Sequence, residues 1–249
     1  MQLLSNIKSY FENIYLRKLD YASGREFTED YLKRANPGTT FLDAGCGQGN
    51  IRDLLPEDVR YIGIDFFEGD NCEGYQGWQH RPDIVADLHC LPLRDSSCDT
   101  LVLLHVLEHL HSPQKAISEL ARVMKPGARL YIAVPFLHQL HHQPNDYYRF
   151  ARYSLEHLFK SVGLTTVSIR PTGGYFRSLA HILGRFIPLY KSKKWFIQLL
   201  LFPLVMWILF LRWTISSFEY PLDLLDNKQE LTCGYLCIAS KTIANNVNA

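Results

Sequence analysis

Phe41-Leu42-Asp43-Ala44-Gly45-Cys46-Gly47-Gln48-Gly49 decides how the rest of the chain is read. A short apolar run leads into three glycines at alternate positions. The run predicts a buried strand, and the glycines predict a sharp turn from it into a helix. Glycine adopts positive φ without strain and lets a ligand approach the main chain closely. The helix N-terminus beyond would offer free amide groups. A dinucleotide-binding loop needs G-x-G-x-x-G, and the spacing here is G-x-G-x-G. Asp43, just upstream, would repel a pyrophosphate and attract an ammonium group. An amino acid, such as the methionyl part of S-adenosylmethionine, suits this loop better.

Downstream, short apolar runs alternate with helical patterns. Tyr61–Ile64, Ile84–Ala86, Thr100–Leu104 and Leu130–Val134 read as strands buried on both faces. Leu164–Ile169 and Gly234–Ser240 read as two more. Pro113–Met124 predicts a helix with Ala116, Ile117, Leu120, Ala121 and Met124 on one face, stopped by Lys125-Pro126-Gly127. Ser154–Val162 predicts another, capped by Ser154. The alternation implies a Rossmann-like, doubly wound α/β fold. Its sheet is expected to be mostly parallel and seven-stranded, with helices on both faces and an apolar helical insertion before the last strand. The domain reading is N-terminal helices over 1–36, a cofactor-binding core over 37–170, the insertion over 171–230, and the last strand and tail over 231–249.

Two further carboxylates fall at strand ends. Asp65 closes the second strand, where it can accept hydrogen bonds from both ribose hydroxyls. Asp87 and Leu88 close the third, suited to an exocyclic amine and the face of a base. A single aspartate at such a place is ordinarily a turn or cap residue. Three on successive strand ends in one layer point to a nucleoside site.

With these residues in view, the chain resembles the class I S-adenosylmethionine-dependent methyltransferases, and within them the broad "type 11" group. The glycine turn resembles their first motif, and Asp65 and Asp87-Leu88 their ribose and adenine contacts. Leu91-Pro92-Leu93 through Cys98-Asp99, Leu104-His105-Val106-Leu107-Glu108-His109-Leu110, and Leu120 through Gly127 resemble the segments that follow. The resemblance covers about residues 38–170 and the last strand. It implies that Asp43, Gly45 and Gly47 hold the methionyl end of S-adenosylmethionine and that His105 lines the pocket after strand four.

The loop Pro135–Phe150 leaves the sheet edge where ligands bind in open α/β folds. Histidine as a residue type exchanges a proton near neutral pH, so one of His138, His141 and His142 can serve as a base. Tyr147, Tyr148 and Arg149 would position the acceptor. The plainer reading is that Asp146 pairs with Arg149 and the tyrosines pack the loop. His138, His141 and His142 with Asp146 also suggest divalent-ion ligands, but their spacing matches no fixed zinc pattern, and no metal is expected. A histidine-bearing PNDYYRF loop resembles one found in methyltransferases near cell-surface glycan pathways.

Trp195–Leu211 is almost wholly apolar, preceded by Lys191, Lys193 and Lys194 and followed by Arg212. A single crossing would strand the last strand on the far side of a bilayer, and Pro203 is expected to break the run. Peripheral membrane contact through residues 195–211 is the favoured reading. Packing on the domain or on a second subunit as a homodimer face is the alternative.

Composition narrows the classes. The chain has 249 residues, is 47% hydrophobic and 20% charged, and has a formal net charge of +1. That describes a globular chain without the basic excess of a nucleic-acid binder. No Asn/Asp-Pro-Pro-Tyr/Phe tetrapeptide follows the fourth strand. The six cysteines form no CxxC pair, and no secretory signal is visible, so a cytoplasmic setting is expected. The sequence expectation is methyl transfer, at oxygen, from S-adenosylmethionine to a small-molecule or lipid-linked acceptor, with no nucleic acid as partner. A non-catalytic nucleoside-binding scaffold at a membrane is the alternative.

Overall fold

The computed structural model describes residues 21–66, 80–185, 193–223, 225–226 and 230–242. The helix expected within residues 1–20 lies outside them. The elements are α1 (Tyr21–Arg34), β1 (Thr40–Ala44), β2 (Arg60–Asp65), β3 (Ile84–Val85), β4 (Cys98–Leu104), α2 (Pro113–Val123) and β5 (Met124–Pro135). These are followed by α3 (Arg152–Ser161), β6 (Leu164–Pro171), α4 (Tyr175–Gly184), α5 (Trp195–Asp223) and β7 (Gly234–Lys241). Single 3-10 turns occupy Arg52–Leu54 and Leu107–His109.

One seven-stranded sheet has the order β3-β2-β1-β4-β5-β7-β6. β1 pairs in parallel with β2 and β4, β2 with β3, and β4 with β5. Phe41, Leu42, Leu101, Leu103, Leu130 and Ile132 are completely buried, which is why these strands read as continuous apolar runs. The chain winds outward from β1 to β3, then returns to lay β4 beside β1. The carboxyl ends of β1 and β4 therefore flank the switch in winding direction, where open α/β sheets bind ligands.

α1 covers one stretch of this sheet through aromatic packing. Phe27 and Tyr31 meet the Tyr131 ring edge-on at 5.5 and 5.6 Å. The Tyr131 hydroxyl donates to Asp30 at 2.5 Å, and Arg129 pairs with the same carboxylate at 2.9 Å. α2 starts with Pro113 at its first position and buries Ala116, Ile117, Leu120, Ala121 and Val123. Its last carbonyls are capped from β7. The Lys241 ammonium donates to Ala121 O at 2.8 Å and Met124 O at 2.9 Å.

Four local expectations need correction. The glycine turn does not open onto a helix with a free N-terminus, because only the turn Arg52–Leu54 follows. Pro56 holds Leu55 extended (φ −86°, ψ 149°), which ends the helix before it can grow. Lys125-Pro126-Gly127 does not form a separate turn. α2 passes straight into β5, and Gly127 (φ +80°) lies where the β4–β5 register shifts. Ser154 does not cap α3, which starts two residues earlier. Its hydroxyl donates back to Ala151 O at 2.7 Å, and Arg152 pairs with Glu156 one turn on. Pro203 does not break the apolar run either, since α5 continues through it to Asp223. The lost hydrogen bond and the clash cost about 3 kcal/mol locally, and leucine-rich turns on both sides retain theirs.

The chain divides into two compact units: residues 1–135, 139–170 and 235–249 form the first, and residues 136–138 and 171–234 the second. In the second unit α4 lies against α5. Its N-terminus is capped by carboxylates. Asp223 accepts from the Gly174 and Phe176 amides, and Asp226 from the Tyr175 amide, at 2.9–3.0 Å. Over Trp195–Phe218, α5 is long and apolar enough to cross a membrane and is 11% buried. Val205 and Ile208 are buried, whereas Leu199, Leu200, Phe202, Trp207 and Phe210 stand exposed.

Candidate active site

The glycine turn is held shut by backbone bonds across the β1–β2 edge. The Gly45 and Cys46 amides donate to Ile64 O at 2.7 and 3.0 Å. Gly45, Gly47 and Gly49 all have positive φ, at +73°, +51° and +65°. At Gly45 the requirement is double, because a Cβ there would come within 2.3 Å of Val106 on the segment after β4. Gly45 thus joins the two sides of the switch point.

Asp65 and Asp43 face this turn. Asp65 accepts the Gly47 amide at 2.7 Å and the Phe66 amide at 2.8 Å. Burial raises its carboxyl from the ordinary value, and these two amides oppose the shift. A carboxylate with two such bonds keeps acceptor capacity for ligand hydroxyls. Asp43 is 3% exposed and accepts the Tyr61 hydroxyl at 2.8 Å. Burial pushes its carboxyl up to about 7; the Tyr61 bond opposes this and the Asp65 charge adds to it. A buried acid beside a second acid is a place for a cation.

Asp87 lies beyond β3, where its carboxylate accepts the His89 amide at 2.9 Å and meets the His89 ring at 2.5 Å. Burial acts to raise it, but the His89 bonds hold it below the usual carboxylate range. Leu88 is buried beside it. The sequence reading missed both Tyr61 and His89. A phenol one strand over and a histidine two residues on carry no motif.

After β4, His105 takes a positive φ of +56°, and its amide donates to Ala133 O at 2.8 Å. A left-handed non-glycine residue at a strand end is a strained feature of the kind found at functional sites. The loop after β5 folds back onto this segment. The Tyr147 and Tyr148 amides both donate to Glu108 O, at 2.9 and 3.2 Å. The Tyr147 hydroxyl donates to Asn145 and the Tyr148 hydroxyl to His111 O. Arg149 grips Asp146 with two bonds of 2.6 and 2.7 Å and donates to Gln139 O and Tyr148 O. The plainer reading of Asp146 with Arg149 therefore holds.

His141 and His142 come together with His109, their rings 4.7 and 5.2 Å from it. His142 is exposed, at φ +50°. His138 falls in the second unit, where its Nε2 accepts from Arg185 at 3.1 Å near His181. Glu108 and His109 are site residues to which the sequence reading gave no role. The spacing His105-x-x-Glu108-His109 was a signal in plain sight.

Residues 42–132 match the model of a methyltransferase domain family. A Mycolicibacterium smegmatis protein named as an S-adenosylmethionine-dependent methyltransferase is 36% identical over 126 residues, 50% of this chain and 46% of its own. An Arabidopsis thaliana protein named as a tRNA (carboxymethyluridine(34)-5-O)-methyltransferase is 31% identical over 137 residues, 51% of this chain and 33% of its own. The chain spans less than half the length of these curated relatives. Among solved structures, Burkholderia thailandensis 1,6-didemethyltoxoflavin-N1-methyltransferase, with S-adenosylhomocysteine bound, aligns at a TM-score of 0.52. It is 16% identical, and the alignment covers 97% of this chain and 87% of that one.

Proposed function

We propose that the chain carries a class I S-adenosylmethionine-dependent methyltransferase domain and that it methylates a small or lipid-linked acceptor, at oxygen, in a cell-surface glycan pathway. The observation that carries this is the pairing of buried Asp43 with Asp65 around the Gly45–Gly47 turn at the switch point. The donor set fits S-adenosylmethionine. Asp43 suits its ammonium, Asp65 its ribose hydroxyls, and Gly45 and Gly47 leave room for its approach. Asp87 and Leu88 would hold the base. When bound, this cofactor supplies a methyl group activated on a sulfonium.

The chain's own work is then to orient and deprotonate the acceptor, since alignment carries much of a displacement reaction. His142 is the favoured base, because it is exposed at the mouth of the loop, whereas His138 already accepts a bond from Arg185. Tyr147 and Tyr148, half-exposed further along the same loop, would present the acceptor, with Arg149 holding the loop that carries them.

A membrane setting supports the lipid-linked reading. The apolar stretch Trp195–Phe218 has 24 residues, about 36 Å of helix against a hydrocarbon core of about 30 Å. β6 and β7, on either side of α5 in the chain, are neighbours in one sheet, which argues against one crossing between them. An interfacial helix on the cytoplasmic face satisfies both facts.

The test is turnover. Cell-envelope glycolipid extracts should be methylated with release of S-adenosylhomocysteine, and bulk tRNA should not. His142→Ala should lower turnover far more than cofactor affinity. Cofactor binding without methylation of any extract would favour the scaffold reading; methylation of tRNA alone would replace the acceptor class.

A further inference from the structure

Glu108 presents a problem that methyl transfer does not solve. Its side chain is completely buried, and among the described residues neither carboxylate oxygen has a hydrogen-bond partner. An unpaired buried carboxylate is costly enough that native structures rarely keep one.

Two imidazoles face it. His109 Nε2 lies 3.7 Å and His141 Nε2 3.6 Å from Glu108 Oε1, both beyond hydrogen-bond reach. Their other nitrogens define the tautomer. His109 Nδ1 meets Asn145 O at 2.5 Å, and His141 Nδ1 meets Asp146 Oδ2 and Gln139 O at 3.3 Å. All three partners are acceptors, so each Nδ1 carries a proton and each Nε2 presents a lone pair. Two imidazole nitrogens and a carboxylate oxygen thus face one space. A cation bound there would satisfy all three groups at once.

We propose that Glu108, His109 and His141 form a binding site for a divalent first-row transition ion of zinc's ligand preference. One ligand atom from each lies within 4.8 Å of the others. Ligands about 2.0–2.1 Å from a tetrahedral ion stand about 3.4 Å apart, close to the observed 3.6 and 3.7 Å. Two nitrogens and one oxygen suit zinc, iron(II) or manganese(II) better than calcium or magnesium. The outer contacts are also in place. Asp146, held by Arg149, orients His141, and a backbone carbonyl orients His109. His105 Nδ1 stands 3.8 Å from the same Glu108 oxygen. Three protein ligands leave a fourth position for water. That an acceptor oxygen takes this position is the one part that rests on the proposed methyl transfer.

Calorimetric titration of the chelator-stripped full chain with Zn²⁺, without cofactor or acceptor, tests the site apart from activity. One equivalent should bind. Glu108→Gln and His141→Gln should each weaken binding by at least about 100-fold, and Asp146→Asn by about 10–100-fold. Failure to bind Zn²⁺, or wild-type affinity in both ligand variants, overturns the site. If Glu108→Gln does not fold, Co²⁺ absorption of His141→Gln decides, because that residue sits on a partly exposed loop. Visible bands of the wild type should be lost in the variant, and their persistence places the ion elsewhere.

Discussion

The two halves of the carboxyl edge are built on opposite terms. Around β1 and β2, nearly every polar group is answered: the Gly45 and Cys46 amides by Ile64, the Gly47 amide by Asp65, and Asp43 by Tyr61. Around β4 and the loop after β5, the backbone is equally well tied, yet among the described residues the central carboxylate of Glu108 has no hydrogen-bond partner and faces two imidazole nitrogens at 3.6 and 3.7 Å. The first half is complete and waits only for a ligand with hydroxyls and an ammonium. The second half requires an ion to be complete. A close-packed backbone can therefore hold two kinds of site, one pre-satisfied and one pre-strained.

The largest way to break this contrast is at the joint between the halves. Gly45→Ala puts a Cβ within 2.3 Å of Val106 at a φ of +73°. Both effects oppose folding, by about 2–4 kcal/mol together. Urea unfolding should show that loss, and cofactor binding should fall with it. An unchanged midpoint would mean that the turn is looser than described.

A slightly smaller effect is expected in the second half. Arg149→Ala leaves Asp146, whose side chain is 1% exposed, without its cation, at a cost of about 2–4 kcal/mol near pH 7. The two Arg149 bonds hold Asp146 well below the usual carboxylate range. A depressed carboxyl contributes stability above its unfolded value of about 3.9 and loses it as pH falls toward the folded one. The gap between wild type and variant should thus narrow between pH 5 and pH 3. A gap independent of pH would show that Arg149 acts by packing alone.

The smallest effect belongs to Asp43, whose carboxyl lies near 7 because of burial. An ammonium ligand prefers the ionised form. Affinity for S-adenosylmethionine should rise about tenfold between pH 6 and pH 8, and binding at pH 7 should release a fraction of a proton. Calorimetry in two buffers of different ionisation enthalpy measures that proton. Affinity that falls over this range would move the ammonium away from Asp43.

These contrasts also mark what the sequence could convey. Alternating glycines after an apolar run, with aspartates at successive strand ends, encode the first half locally, and the alternation of strands with helices implies the mostly parallel, doubly wound sheet. The second half is a product of chain return. Residues 139–149 reach Glu108 only because two tyrosine amides find its carbonyl, a bond no spacing rule announces. The missing helix after the glycine turn follows from Pro56, a breaker visible in the sequence but outweighed there by the motif. At Pro203 the error ran the other way. A single breaker was given more weight than the long leucine-rich run around it, and α5 is continuous.

The central claim is that the β1–β2 half holds the ribose of S-adenosylmethionine through Asp65, and calorimetry of Asp65→Ala with that cofactor tests it most directly. The account predicts binding weaker by about 1.5–3 kcal/mol, with thermal unfolding of the free protein little changed. Wild-type affinity in a folded variant would contradict it.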